Sequence, residues 1–276
     1  MERLSIATRH GHVALTRRGH GPPVLLLHGI PGSAAAWQPV AERLEGRMRL
    51  VIPDLLGFGA SHRPTDLATL LAPGQAEALA DVLDALDIAA VTVVGHDFGG
   101  PVALLLARQR PTLVTRLGLL ATNAFPDTPV PMPLALLRWP LVGRLAAPLL
   151  LSRASLAMML RTGTGAPRTR LDRTVYLGDA AQSRAIRAIF EASLRRLGEL
   201  YAPVAEQLRA LNIPAFVGWG DRDPFFPLDQ ARRTADAAHA RLTLYPGAGH
   251  FLPEERPAEV AADIAALLDA PVPTVT

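Results

Sequence analysis

The sequence predicts an α/β protein in which helices flank a mostly parallel sheet and one helical segment is inserted between two strands. Short apolar runs alternate with longer stretches of helical periodicity through most of the chain. These runs are continuously apolar, which is typical of parallel strands that are buried on both faces. One segment of roughly eighty residues breaks the alternation, because it contains prolines and helical patterns but no strand.

Length and composition are consistent with one large domain and exclude several kinds of function. The 276 residues suffice for an α/β domain with an insertion. A content of 49% hydrophobic and 19% charged residues is that of a folded protein with a core. The absence of cysteine excludes disulfides, a thiolate nucleophile and thiolate-bound metals. All 28 basic residues are arginines, and the net charge of +3 is too small to indicate a nucleic-acid partner.

Neither a signal peptide nor a membrane span is expected. Residues 1–12 contain no apolar run of the kind that directs secretion. The most apolar region, residues 129–160, is interrupted by arginines and prolines, so it lacks the ~20 consecutive apolar residues of a spanning helix. The sequence therefore predicts a cytoplasmic protein.

The strands and helices of the core alternate along the chain. The strand candidates are residues 12–16, 24–27, 50–52, 91–94, 117–120, 215–219 and 242–245. The helix candidates are residues 34–44, 75–86, 101–110, 228–238 and 258–268. Open α/β sheets bind ligands at the carboxyl edge of their strands, so the loops at that edge are expected to form the functional site.

The segment without a strand follows residues 117–120. Four prolines between residues 126 and 133 come first, and no further strand is predicted before residue 215. We therefore expect a core domain of residues 1–123 and 205–276, with a helical lid of residues 124–204 over the carboxyl edge of the sheet. A separate helical domain or a dimerisation element is the alternative, so a homodimer stays open.

The most specific motif is Gly-His-Asp-Phe-Gly-Gly at residues 95–100. It lies between a strand candidate and a helical pattern, which is the context of a nucleophile elbow. The turn of such an elbow is sharp, and glycines around its centre leave room for it. Asp97 stands at the centre, where serine is usual, and is the candidate nucleophile. The alternative is that Asp97 only caps the following helix.

A second turn, His28-Gly29-Ile30, directly follows the strand candidate at residues 24–27. It can direct the backbone N–H of Ile30 toward the same point as the backbone N–H of Phe98. Two converging N–H groups form an oxyanion hole. We interpret His28 itself as a structural residue of the turn, without a catalytic role.

An acid and a histidine follow the last two strand candidates. Asp221 and Asp223 come after residues 215–219, and the glycine-flanked His250 comes after residues 242–245. The chain order nucleophile, acid, histidine is that of a catalytic triad built at the edge of one sheet.

Together these motifs resemble the α/β-hydrolase fold superfamily over nearly the whole chain. Residues 95–100 are similar to its aspartate-nucleophile branch, which contains epoxide hydrolases and the haloalkane and haloacetate dehalogenases, and residues 53–61 also resemble a segment of the family. The resemblance implies an eight-stranded sheet with a lid after the sixth strand. It also implies Asp223 as the triad acid, with Asp221 as the second choice.

An aspartate nucleophile restricts the chemistry. A carboxylate displaces a leaving group from saturated carbon and forms an ester on the enzyme. His250, oriented by Asp223, then activates the water that hydrolyses this ester. The expected reaction needs no cofactor or metal, and the expected substrate is an epoxide or an alkyl halide.

Comparison with the members of the aspartate-nucleophile branch favours an epoxide over an alkyl halide as the substrate. Haloalkane dehalogenases carry a tryptophan after the nucleophile and haloacetate dehalogenases an arginine, whereas this chain has Phe98. Trp139 in the lid is a candidate halide donor, although packing within the lid is the preferred interpretation. Epoxide hydrolases use two lid tyrosines as acids, and Tyr176 and Tyr201 are the candidates here. The alternative for both is a buried ring with a solvated hydroxyl.

Apolar residues predict a hydrophobic pocket. Met158 and Met159 lie in the lid, and Phe225, the expected substrate contact, follows the acid loop. The expected function is hydrolysis of an epoxide on a small hydrophobic molecule. The alternatives are a haloalkane dehalogenase, a ring-opening or cyclising enzyme of secondary metabolism, and a ligand-binding protein on the same fold.

Overall fold

The computed structural model describes residues 1–165 and 171–271. Within these ranges the chain forms one eight-stranded sheet in the order β1-β2-β4-β3-β5-β6-β7-β8. β2 pairs antiparallel with β1 and β4, and every other neighbouring pair is parallel. The strands are β1 Glu2–Thr8, β2 Gly11–Arg18, β3 Pro23–Leu27, β4 Arg49–Pro53, β5 Val91–His96, β6 Val114–Leu120, β7 Ala215–Gly220 and β8 Arg241–Tyr245.

Helices cover both faces of this sheet. The α-helices are α1 Gln38–Leu44, α2 Leu67–Leu70, α3 Ala72–Ala85, α4 Gly99–Gln109, α5 Pro140–Leu150, α6 Arg153–Thr162, α7 Arg173–Leu177, α8 Ala180–Arg195, α9 Leu197–Arg209, α10 Leu228–Ala237, α11 Leu252–Glu255 and α12 Pro257–Asp269. Two 3₁₀ helices, η1 Ala34–Trp37 and η2 Leu134–Arg138, complete the described helices. α1 and α12 pack on one face, and α3, α4, α9 and α10 contribute to the core on the other.

The central strands explain why the alternating pattern of the sequence folds as an α/β protein. Every residue of β5 is buried, and β3 is buried at all positions after Pro23. Strands covered by helices on both sides lose solvent on both faces, so they need apolar side chains at consecutive positions. The predicted mostly parallel sheet flanked by helices is confirmed.

The described part of the stretch between β6 and β7 consists of helices and loops and contains no strand. The inserted segment, defined as residues 124–204, contains η2, α5 to α8 and the first part of α9. The boundary expected at residue 204 falls inside α9, because this helix continues onto the core and packs against α4. Residues 166–170 of the expected lid and residues 272–276 of the expected core domain lie outside the described residues.

No single helix of the described ranges has the length and apolar composition of a membrane span. α5 and α6 satisfy those criteria only as a pair, and the two helices meet at a bend of 78°.

Candidate active site

The candidate catalytic residues lie just beyond the carboxyl ends of β5, β7 and β8. Asp97 follows β5, Asp223 follows β7 and His250 follows β8. Because β5 to β8 run parallel, their carboxyl ends share one edge of the sheet. Residues that are up to 153 positions apart in sequence, from Asp97 to His250, therefore meet at one place.

Asp97 occupies a tight turn between β5 and α4. Its φ of 50° lies in the left-handed region, which is costly for a residue with a side chain. The neighbouring glycines accommodate this turn, because a Cβ on Gly95 would lie 2.3 Å from the carbonyl oxygen of Gly99. Thr122 Oγ1 donates a hydrogen bond to the carbonyl oxygen of Asp97 at 2.6 Å and fixes the turn further.

The two carboxylate oxygens of Asp97 have different surroundings. Oδ2 accepts a hydrogen bond from the backbone N–H of Ile30 at 2.7 Å, and the N–H of Phe98 also bonds the carboxylate. Gly29 permits this approach, since a Cβ there would lie 2.5 Å from Cβ of Asp97. Oδ1 faces the His250 ring, 3.9 Å from Nε2. Oδ2 is thus held by the backbone N–H of Ile30, while Oδ1 faces the histidine.

Asp223 is the carboxylate that contacts the histidine. Its Oδ2 lies 2.9 Å from Nδ1 of His250, and its Oδ1 accepts hydrogen bonds from the N–H groups of Phe225 and Phe226. Asp221 instead accepts a hydrogen bond from the N–H of Gly247 at 2.7 Å. Asp223 therefore orients the ring, and Asp221 braces the loop that carries the histidine.

Burial and the neighbouring charges shift the pKa values of the site. Burial raises the pKa of Asp97, although the nearby His250 and the two backbone donors partly offset this effect. Burial opposes protonation of His250, but the carboxylates of Asp223 and Asp97 more than compensate and raise its pKa. A protonated His250 between two carboxylates is thus favoured by this environment.

Two residues that the sequence analysis did not single out hold the histidine loop. His96 lies 2.8 Å from the carbonyl oxygen of His250 through Nε2, and burial lowers its pKa to about 3, so it is neutral and donates. The carboxylate of Glu255 accepts from the N–H groups of Gly249 and Phe251 on either side of His250. The same carboxylate accepts from the N–H of Gly165 in the inserted segment at 2.7 Å.

His28 has the structural environment that the sequence analysis expected. Its buried ring accepts a hydrogen bond from the N–H of Leu55 at Nε2 and lies 2.8 Å from the carbonyl oxygen of Gly29 at Nδ1. Burial lowers the pKa of this histidine, so the ring is neutral with its proton on Nδ1. These bonds join the turn after β3 to the segment after β4.

A largely apolar cavity lies above Asp97 and His250. It holds about 900 Å³ of space, part of it open to solvent. The core contributes Ile30, Pro31, Phe98, Asn123, Phe225, Phe226 and Phe251 to its wall, and the inserted segment contributes Thr128, Pro129, Val130, Pro131, Leu134, Met159, Ile189, Phe190, Ser193, Leu194, Leu197 and Tyr201. Phe225 thus contacts the cavity, as the sequence analysis expected.

Tyr201 is the tyrosine of the inserted segment that reaches this cavity. Its ring is buried in the wall, and its hydroxyl oxygen is hydrogen-bonded by the side chains of Asn123 and Ser193. Burial and the nearby carboxylate of Asp97 raise the pKa of Tyr201. The hydroxyl therefore stays protonated at neutral pH and can donate its proton within the cavity.

Tyr176 and Trp139, the other two predicted substrate contacts of the inserted segment, do not line this cavity. The hydroxyl of Tyr176 donates to Glu254, its ring packs edge-on against Phe251 with 5.1 Å between centroids, and it is not among the residues of the cavity wall. Trp139 precedes α5 with 63% of its surface exposed, away from the cavity wall. Tyr176 lies on α7 and Trp139 directly precedes α5, so neither follows the end of a strand.

No group of three or more His, Asp or Glu side chains in the described part of the chain has the arrangement of a metal site.

Comparison with known proteins identifies the family. The model of the α/β hydrolase fold family matches residues 22–257. An uncharacterized protein of Mycobacterium tuberculosis is 31% identical over 98% of this chain and 82% of its own length. Haloalkane dehalogenase 2 of the same organism is 28% identical over 92% of this chain and 90% of its own. The chain therefore belongs to the α/β hydrolase fold family.

A solved structure agrees with this assignment at the level of the fold. An epoxide hydrolase shares 20% identity with a TM-score of 0.75, and the match covers 97% of this chain and 98% of that one. The chain is thus an α/β hydrolase with Asp97 in the turn after β5, and its structural neighbours include an epoxide hydrolase.

Proposed function

We propose that this protein hydrolyses an epoxide on a small hydrophobic molecule to a diol, through an ester formed on Asp97. One observation carries the proposal. Oδ2 of Asp97 is bound by the Ile30 N–H, while Oδ1 is left facing the cavity and His250. A carboxylate held in this way is suited to attack carbon and then to be hydrolysed as an ester.

In the first step, Oδ1 of Asp97 attacks a ring carbon of the epoxide, and the bond from that carbon to the ring oxygen breaks. The ring oxygen takes the proton of the Tyr201 hydroxyl. The raised pKa of Tyr201 keeps this proton in place until the ring opens. The products are an ester of Asp97 that bears a hydroxyl group and the tyrosinate form of Tyr201.

In the second step, water attacks Cγ of Asp97, the carbonyl carbon of the ester. His250 takes a proton from this water, and Asp223 stabilises the resulting imidazolium. The N–H groups of Ile30 and Phe98 hold the negative charge that develops on Oδ2. Collapse releases the diol with the proton from His250, and the surplus proton of the Asp97 carboxyl group restores the Tyr201 hydroxyl.

An apolar substrate is supported by the cavity wall, in which aromatic and aliphatic side chains predominate. An alkyl halide is the second candidate, since a haloalkane dehalogenase is among the relatives. The two residues whose N–H groups hold Asp97, Ile30 and Phe98, carry no side-chain N–H for a leaving halide. The hydroxyl of Tyr201 favours an oxygen leaving group instead.

The proposal is tested by trapping the ester. The His250→Gln variant should accumulate the ester of Asp97, because alkylation does not need the histidine and hydrolysis does. After exposure to a panel of epoxides and alkyl halides, the intact-protein mass should increase by the whole mass of an epoxide. An alkyl halide would instead add its alkyl group less one proton.

The matched control is the double variant Asp97→Asn/His250→Gln, which should gain no mass from the same compounds. An adduct on Asp97 from halides only would replace the epoxide by the second candidate. No adduct together with stoichiometric binding of the panel compounds would contradict catalysis and favour a ligand-binding protein.

A further inference from the structure

Exposed apolar side chains are concentrated on one part of the inserted segment. Nine large hydrophobic residues of the described ranges are exposed, and seven of them lie between residues 132 and 158. Such a concentration differs from the single exposed hydrophobic residues that are normal on a protein surface.

α5 arranges several of these residues in a line. Gly143 and Ala147 are buried against the rest of the protein, with Gly143 close to η2. Leu141, Leu145 and Leu149 follow one another at intervals of four and are exposed by 81%, 83% and 72%. Residues four apart lie on the same side of a helix, so the outer side of α5 is an apolar ridge.

The charge around this ridge has a single sign. Residues 128–171 include six arginines and neither aspartate nor glutamate. Arg138, Arg144, Arg153 and Arg161 are exposed, and none of them lies within 4 Å of a carboxylate in the part of the chain that the structure describes. Arg153 bonds backbone carbonyl oxygens instead.

The acidic residue within α8 does not alter this balance. Glu191 of α8, which packs against α5, is already paired with Arg187 and Arg195. The ridge is therefore surrounded by positive charge without compensating carboxylates from α8.

We propose that this surface docks on an anionic lipid bilayer. An apolar ridge bordered by arginines and a tryptophan fits the boundary between headgroups and acyl chains. α5 has 11 residues and is therefore about 16 Å long, so it lies in the plane of the surface and does not cross it. A second copy of this chain is disfavoured as the occupant, because a symmetric contact would bring the arginines of both copies together.

The docking surface adjoins the cavity of the candidate active site. Pro131 and Leu134 line the cavity, while Met132 between them is 69% exposed. The same short stretch thus forms the cavity wall and the edge of the docking surface. Such an arrangement is suited to hydrophobic substrates that reach the cavity from the bilayer. Only this last step, the delivery of a substrate, rests on the proposed function.

The protein contains its own probe for this proposal. Of its three tryptophans, Trp37 and Trp219 are completely buried, whereas Trp139 lies at the start of α5 and is exposed. Vesicles of phosphatidylglycerol mixed with phosphatidylcholine should shift the emission of Trp139 to shorter wavelength and protect it from acrylamide. Vesicles of phosphatidylcholine alone should give a weaker response, and added salt should reduce binding to the anionic vesicles.

Variants separate the apolar and the electrostatic contributions in a flotation assay with the same vesicles. Leu141→Gln/Leu145→Gln should lower the partition coefficient by about tenfold or more. Arg138→Gln/Arg144→Gln should lower it by about tenfold or more as well, at roughly fivefold for each arginine. The matched controls are Leu244→Gln on β8 and Arg232→Gln on α10, both exposed, which should bind like the unchanged protein.

The readout does not use turnover, so its failure is distinct from failure of the proposed reaction. Equal binding to neutral and anionic vesicles would overturn the anionic specificity. If Leu141→Gln/Leu145→Gln and Arg138→Gln/Arg144→Gln both bind the anionic vesicles like the unchanged protein, the docking surface is wrongly assigned. If the unchanged protein binds neither kind of vesicle and is a dimer, and if Leu141→Gln/Leu145→Gln makes it a monomer, the occupant of the surface is a second copy of the chain.

Discussion

Nε2 of His250 lies 3.9 Å from Oδ1 of Asp97, a separation too long for a direct hydrogen bond. The opposite nitrogen of the ring is bound to Asp223 at 2.9 Å, so the ring cannot turn to close this gap without losing that contact. The histidine therefore faces Asp97 without a hydrogen bond to it. This geometry is consistent with a base that acts on water rather than on the aspartate itself.

Asp97→Asn should abolish turnover without unfolding the protein. We expect a loss of about 10³-fold or more, because an amide is a poor nucleophile. Since burial raises the pKa of Asp97, the ionised carboxylate weakens the fold, and the melting temperature of the variant should not fall. Residual activity near that of the unchanged enzyme, in protein whose mass excludes deamidation, would remove Asp97 from the role of nucleophile.

The pH dependence of ester hydrolysis should reflect His250. Asp223 and Asp97 raise the pKa of this histidine above its ordinary value of 6.5, and only the neutral ring can accept a proton from water. In the ester Asp97 carries no charge, so of these two carboxylates only Asp223 raises the pKa there. Single-turnover hydrolysis should increase with pH as the His250 ring loses its proton. In Asp223→Asn the residual rate should have its midpoint at lower pH, because the charge of Asp223 is gone. An unchanged midpoint would contradict this assignment.

The two tyrosines of the inserted segment should behave differently. Tyr201→Phe removes the proton donor in the cavity and should slow epoxide opening by roughly 10²–10⁴-fold in pre-steady-state measurements. Tyr176→Phe is the matched control and should leave that rate unchanged, since Tyr176 is bound to Glu254 outside the cavity wall. Loss of its hydrogen bond should instead lower the free energy of unfolding by about 1–3 kcal/mol. The reverse pattern would restore Tyr176 as the acid.

Glu254→Gln should stabilise the protein at neutral and alkaline pH. Burial, together with the charges of Asp172 and Glu255, raises the pKa of Glu254 from 4.5 to about 8. The folded state therefore retains a proton that the unfolded chain has lost, and the free energy of unfolding falls as pH rises between these values.

Glutamine at position 254 cannot ionise, so the gain should be on the order of 1–3 kcal/mol at pH 8 and should vanish below pH 4.5. Denaturant unfolding over this pH range measures it. Glu259→Gln on the exposed side of α12 is the control and should show no such trend. A gain that is independent of pH would indicate a packing effect instead of the removal of a charge.

The sequence predicts the central strands and the approximate positions of Asp97 and His250 because strong physical constraints act there. A strand buried on both faces must be continuously apolar, and the elbow around Asp97 leaves no room for side chains at its glycines. β1 escaped prediction for the opposite reason. It is an edge strand whose residues are exposed or half-buried throughout, so it contains no continuous apolar run.

Contacts that depend on tertiary packing cannot be predicted from the local sequence pattern. Asp221 and Asp223 are two residues apart, and only the path of the loop decides which one meets the histidine. Tyr176 and Tyr201 lie on helices of the inserted segment, where no strand end fixes their direction. Glu255 binds backbone N–H groups, including one 90 residues away, and such contacts leave no local sequence signal.

The end of α6 is bound at two points, to the loop that carries His250 and to Glu255, which holds that loop. The N–H of His250 donates to the carbonyl oxygen of Gly163 at 2.7 Å, and Glu255 holds the N–H of Gly165. A displacement of this end would pull on the backbone of His250 and disturb its distance from Asp97. Residues 129–131 and Leu134 line the cavity without either of these attachments, so a shift of this border would leave the backbone of His250 in place. On the proposed mechanism, substrates of different length would then be accommodated at this border while the distance between His250 and Asp97 stays constant.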